Sequence, residues 1–198
     1  MIGKEQILTC VTGLFNTCGP KSLGMDQVAQ GLMISKKSLY GIFGGKDKMI
    51  EDAITFDVAS ASAKVKNIYE EAPNVIYAIV LSGVEIFKFF KNFSGLFWNE
   101  LKIYPESEKY LNDFVKSCSE YGRKSLKTAI ESGFLLPDRD YEIIGDMLRD
   151  QVTRVFKETD SIFSAEHICY YCIVTVLRGV ATEKGRDALD VIEAQNMY

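Results

Sequence analysis

The sequence predicts an all-α protein in which a small helical head precedes a larger helical body. Three observations carry that prediction. Apolar residues recur at intervals of three and four along nearly the whole chain, the spacing that lines one face of an α-helix. No segment alternates convincingly with the period of two that a half-buried strand needs. Glycine and proline then punctuate the pattern at places that suit helix ends.

The elements follow in order. Ile7, Leu8, Val11, Leu14 and Phe15 share one face of a first helix, which Gly19-Pro20 stops. Met25 to Leu32 reads as a short second helix. Ser35 is an N-cap residue for a third, Lys36 to Phe43, ended by Gly44-Gly45. A long helix spans about 47–71, until Ala72-Pro73. Asn74 caps the next, which carries Ile76, Ile79, Val80, Val84, Phe87 and Phe90. An aromatic segment, Phe93 to Tyr104, leads to Pro105. Further helices are expected over about 106–131, 140–158 and 165–182, the last capped by Ser164, and a short tail helix from Asp187 closes the chain.

Size and composition set limits on function. With 198 residues, 47% of them apolar and 25% charged, the chain can bury a substantial core and has the balance of an ordinary globular protein. No apolar run approaches the roughly 18 residues that cross a bilayer. The opening Met1-Ile2-Gly3-Lys4-Glu5 lacks the zones of a signal peptide. A cytoplasmic protein without membrane partners is expected. Five cysteines (Cys10, Cys18, Cys118, Cys169 and Cys172) are an odd and scattered set, read as small buried hydrophobes rather than a disulfide framework.

Catalytic and metal chemistry find little footing. Cys169-x-x-Cys172 lies beside His167, but a structural zinc site needs four ligands and no second pair is nearby. His167 is the sole histidine, which argues against a histidine-based triad or acid–base pair. Gly41-Ile42-Phe43-Gly44-Gly45 ends a helix and lacks the strand of a phosphate loop. No catalytic residue, metal or cofactor is assigned, and an enzyme is not expected.

Charge is distributed unevenly. The net charge is −4, yet residues 1–50 hold six lysines against three acidic residues, leaving +3 in the head and −7 in the remainder. A basic head on an acidic body suits a protein whose head alone approaches a polyanion. Within that head, two short helices joined by a tight turn have the layout of a helix-turn-helix, whose second helix leads into the DNA major groove. Val28, Ala29, Ile34, Leu39 and Phe43 supply its apolar side, while Lys36, Lys37, Ser38 and Tyr40 cluster on the outward start of the later helix.

These residues resemble the TetR family of bacterial repressors. The resemblance is carried by Ile7-Leu8, Leu14-Phe15, Gly19, Met25-Asp26-Gln27-Val28-Ala29, Ile34-Ser35-Lys36-Lys37-Ser38-Leu39-Tyr40, Phe43, Lys46 and Met49-Ile50. It covers about residues 4–50; beyond them, Leu177-Arg178-Gly179-Val180-Ala181-Thr182 is similar to a last helix in some members. The resemblance implies a three-helix DNA-binding domain over 1–46 and a helical effector-binding and dimerisation domain over 47–198. It implies phosphate contacts from Tyr40 and Lys46 and base-edge contacts from Lys36, Lys37 and Ser38, with Gly24 and Met25 at the start of the second helix beside the DNA. It also implies a homodimer on a near-palindromic double-stranded operator, acting as a transcriptional repressor, and a small-molecule effector that releases it.

Three departures from the family pattern stand out. Met33 replaces a common turn glycine, Gly24 lacks the hydroxyl that often caps the second helix, and Gly41-Ile42 offer little for base reading. Those at Met33 and Gly24 keep open an alternative, a helical ligand-binding or interaction protein that has lost specific DNA binding.

In the body, Ile168, Cys169, Tyr171, Cys172, Ile173, Val176 and Val180 make one helix apolar over more than one face, as a dimer interface (Ile168, Cys169, Cys172, Ile173 and Val176) or a central core helix would be. Phe87, Phe90, Phe97, Trp98, Tyr110, Phe114 and Tyr121 suit either an effector pocket or core packing. If they line a pocket, its ligand is largely apolar or aromatic.

Overall fold

The helical spacing of the sequence is realised in ten α-helices, seen in a computed structural model that describes residues 3–157 and 164–195. They are α1 (Lys4–Ser22), α2 (Met25–Gly31), α3 (Lys36–Phe43), α4 (Lys46–Glu71), α5 (Val75–Lys91), α6 (Gly95–Leu101), α7 (Pro105–Glu131), α8 (Tyr141–Lys157), α9 (Ala165–Val180) and α10 (Glu183–Ala194). No strand occurs among the described residues, only an isolated antiparallel bridge between Leu135 and Ala181. The side chain of Phe15 and the expected helix end at Glu158 lie outside the described residues. No described helix is long and apolar enough to cross a membrane.

Local chemistry explains most of the boundaries. Ser35, Ser94, Ser164 and Thr182 each accept a hydrogen bond from the backbone N–H three residues on, satisfying a donor that the helix leaves orphaned. Asn74 Oδ1 does the same for Tyr77 at 3.0 Å. The expected stop at Gly19-Pro20 is a break rather than an end: Gly19 leaves helical geometry at φ 69°, and one more turn follows.

Two segments differ from the sequence expectation. The aromatic run Phe93–Tyr104 contains α6, because Ser94 caps it. The closing helix begins at Glu183 rather than Asp187. Ala181 turns extended to pair with Leu135, and Thr182 caps a new helix where the preceding one had been expected to continue.

The chain forms two compact units. One contains residues up to 63 together with 90–117; the other contains 64–89 and everything from 118 onward. The 46/47 division therefore falls inside the first unit, at the start of α4. The first unit buries Ile7, Val11, Val28, Leu39, Ile50 and Phe97. In the second, Ile76, Val80 and Phe87 of α5 pack with Ile173, Val174 and Leu177 of α9. Arg178 ties α9 to α10 through Asp190, at 2.7 Å, and Glu193.

Candidate functional site

The end of α2 sets up the first site. Its last turn closes with Ile34 N–H donating to Ala29 O at 3.0 Å and Met33 N–H donating to Gln30 O at 3.1 Å. This paired arrangement requires a left-handed residue between the helices, and Met33 fills it at φ 52°. The chain then enters α3 through Ser35, whose hydroxyl accepts from Ser38 N–H at 3.0 Å. Val28, Ala29, Leu39 and Phe43 are buried beneath the pair. That leaves Lys36, Lys37, Ser38, Tyr40, Gly41 and Ile42 on the exposed side of α3.

The expected DNA-contacting residues are not equally available. Lys37 is exposed, and Tyr40 is 44% exposed. Lys36 forms an ion pair with Asp26 of α2 at 2.8 Å, and the hydrogen bond it donates to Asp26 holds its ammonium pKa above the usual lysine value. Ser38 Oγ lies 2.7 Å from Ser35 Oγ. Lys46, at the first position of α4, donates to the Lys21 carbonyl. Gly24 precedes α2 in an extended conformation and donates its N–H to Gln27 Oε1 at 2.8 Å, but having no side chain it offers the first turn no side-chain acceptor in return. Met25 is buried, so its side chain belongs to the core and only its backbone stands at the helix start. Asp26 was missed as a partner because ten residues separate it from Lys36.

A second cationic pair braces the same unit. Lys4 of α1 and Lys48 of α4 both reach Asp52, at 2.6 Å and 3.0 Å. Burial raises the Asp52 pKa, but the hydrogen bonds from these two lysines outweigh it and hold the carboxyl below its usual value.

Most of the aromatic candidates pack against one another. In the first unit Phe90 lies 5.9 Å from Trp98 and 6.2 Å from Phe114 between ring centroids, and Phe93 stacks on Phe97 at 4.3 Å. Phe97 is fully buried, and Tyr110 is 40% exposed. Phe87 sits in the core of the second unit.

Of the seven residues considered for a pocket, Tyr121 alone lines the cavity of the second unit. This cavity encloses about 200 Å³ and is walled by α4, α5, α7, α8 and α9. Tyr69, Ser82, Cys118 and Tyr141 join Tyr121 on its wall, and no lining residue is charged. Tyr69 stacks on Tyr121 with centroids 5.8 Å apart. Burial pushes the Cys118 thiol up to about 11, so it too is neutral at ordinary pH.

On α9 the five interface candidates divide between two faces. Cys169 and Ile173 are buried in the unit's own core, where burial pushes the Cys169 thiol up to about 12. Ile168, Cys172 and Val176 line an open concavity with Tyr171 and Thr175. Tyr171, and Ile143 and Met147 of the neighbouring α8, are each more than half exposed. Ile143 and Met147 of α8 were not among the expected interface residues.

No protein-family model matches this sequence, and the comparison with curated proteins finds no match either. Solved structures do match over nearly the full chain. The ketosteroid transcriptional regulator KstR2 of Mycobacterium tuberculosis is 18% identical with a TM-score of 0.70, covering 91% of this chain and 95% of its own. The TetR-family transcriptional regulator PfmR from Thermus thermophilus is 20% identical with a TM-score of 0.69, covering 87% of this chain and 97% of its own. A chain described as superantigen pfit is 16% identical with a TM-score of 0.68, covering 92% of this chain and 90% of its own. At such identities the likeness concerns architecture, on which different functions can be built. The fold of this chain is that of the TetR-family transcriptional regulators.

Proposed function

We propose that this protein is a homodimeric DNA-binding transcriptional repressor, released from a near-palindromic operator by a small, largely apolar or aromatic effector. The observation that carries this reading is the exposed start of α3, where Lys36, Lys37, Ser38 and Tyr40 stand over a closed apolar frame. Such a surface suits phosphate neutralisation and hydrogen bonding in the major groove. Residues 1–46 read the DNA; residues 47–198 bind the effector and dimerise. Support for the dimer comes from the open apolar face of α8 and α9, and support for the effector from the uncharged cavity. An effector that prefers one of two conformations shifts the population away from the operator-binding one.

Selection of bound DNA from a random library tests the proposal. Enrichment of a two-fold symmetric motif supports both DNA reading and dimerisation. Failure to enrich any motif at low salt overturns the repressor reading. A second reading, an interaction protein that has lost specific DNA binding, is favoured by the internal engagement of Lys36 with Asp26 and of Lys46 with Lys21. That reading requires the selection to stay random while the cavity still binds a ligand.

A further inference from the structure

Three hydroxyl groups on the wall of the cavity, those of Tyr141, Ser82 and Tyr69, form hydrogen bonds whose direction can be assigned. Tyr141 Oη donates to the Leu136 carbonyl at 2.6 Å, which commits its proton. Ser82 is buried and donates its hydroxyl to the Ile79 carbonyl at 3.3 Å. A serine hydroxyl has one proton to give. The 3.2 Å contact between Tyr69 Oη and Ser82 Oγ is therefore made with Tyr69 donating. A phenol oxygen that has donated its proton can still accept, so Tyr69 and Tyr141 meet a ligand as acceptors.

We propose that the cavity takes a small uncharged molecule with an apolar body and one O–H or N–H group, which it donates to Tyr69 Oη. The proposal rests on the reading of this cavity as the effector site and adds the class of effector. A charged ligand would surrender its hydration to a wall that holds no charged residue. An ether or ketone placed against Tyr69 and Tyr141 would set its acceptor against their oxygens and be left unpaired there. The stacked rings of Tyr69 and Tyr121 offer an aromatic surface for the apolar body. The size also fits: an engineered apolar cavity of about 150 Å³ holds one benzene. The cavity here, about 200 Å³, matches a single ring with a short side chain.

Three probes of nearly equal shape test this: 4-propylphenol, its methyl ether 4-propylanisole, and propylbenzene, titrated by calorimetry into the full-length protein. The phenol is expected to bind about tenfold more tightly than the other two. In Tyr69→Phe the ratio of phenol to propylbenzene affinity should fall to near one. In Ser82→Ala the Tyr69 proton is freed, and the preference should move toward the ether. Equal binding of all three to the wild-type protein, or a preference for the ether, would overturn the donor requirement while leaving the cavity a binding site. Absence of binding by all three at millimolar concentration would overturn the effector-site reading itself, and the donor proposal with it.

Discussion

Met33 and Gly133 hold the same position at the ends of two different helices. After α2, Met33 lies between bonds from Ile34 N–H to Ala29 O and from its own N–H to Gln30 O. After α7, Gly133 lies between bonds from Phe134 N–H to Ala129 O, at 2.8 Å, and from its own N–H to Ile130 O, at 3.0 Å. Both take positive φ, 52° for Met33 and 73° for Gly133. That conformation brings Cβ against the following carbonyl, a conflict glycine escapes. Met33 gains no burial in return, since it is 94% exposed. Met33→Gly should therefore stabilise the protein by about 1 kcal/mol. A higher urea midpoint at unchanged slope would show it; a lower midpoint would show that the turn is unstrained.

The Lys36–Asp26 pair makes a prediction for DNA binding. Both side chains are largely exposed, so the pair adds little to stability, while it holds the ammonium against α2. Asp26→Asn should strengthen DNA binding several-fold at low salt and steepen its salt dependence. Lys37→Ala should instead lower the slope of log affinity against log salt by about 0.9, the release of one ion. Fluorescence anisotropy over a salt series measures both. A slope that Lys37→Ala leaves unchanged would place Lys37 away from the phosphates.

Two glycines in the second unit should respond oppositely to alanine. A Cβ on Gly185 would lie 2.1 Å from the Phe134 carbonyl oxygen, closer than atoms can pack, so backbone must move. The expected cost of Gly185→Ala is about 1–3 kcal/mol. Gly122 lies on α7 at the cavity wall, where an added Cβ meets nothing within 4 Å. Gly122→Ala should stabilise by about 0.5–1 kcal/mol and narrow the cavity. Denaturant melts of both variants test the contrast; similar losses would contradict the open space beside Gly122.

Asp52 links the first unit to pH. Its folded pKa lies below its unbound value of 3.8, the rise from burial being outweighed by the hydrogen bonds from Lys4 and Lys48. The pairing therefore contributes stability above that value, and the contribution is lost as pH falls through the folded pKa. Asp52→Asn should lower stability by about 0.5–1 kcal/mol at neutral pH. The two proteins should converge as the medium is acidified below about pH 4. Parallel stability curves down to strong acid would mean that the pair contributes nothing.

The helical class was legible in the sequence because helix formation leaves its mark within a few residues. The face made by Ile7, Leu8 and Val11, the break at Gly19-Pro20 and the caps Ser35 and Ser164 all depend on neighbours three or four positions away. So did the outward placement of Lys36, Lys37, Ser38 and Tyr40, which follows once Leu39 and Phe43 turn inward. Tertiary structure decided whatever depends on distant partners. Thr182 starts α10 because Ala181 pairs with Leu135, far back in the chain. Lys36 is held by Asp26 across the turn, and Lys46 by a carbonyl at the end of α1. The cavity shows the same division most fully. Aromatic density pointed to Phe90, Phe97, Trp98 and Phe114, which fill space among themselves. The empty space instead lies where Tyr69, Ser82, Tyr121 and Tyr141 meet from four helices. Periodicity tells which face of a helix turns inward; a void depends on how well the inward faces of several helices fill the space between them.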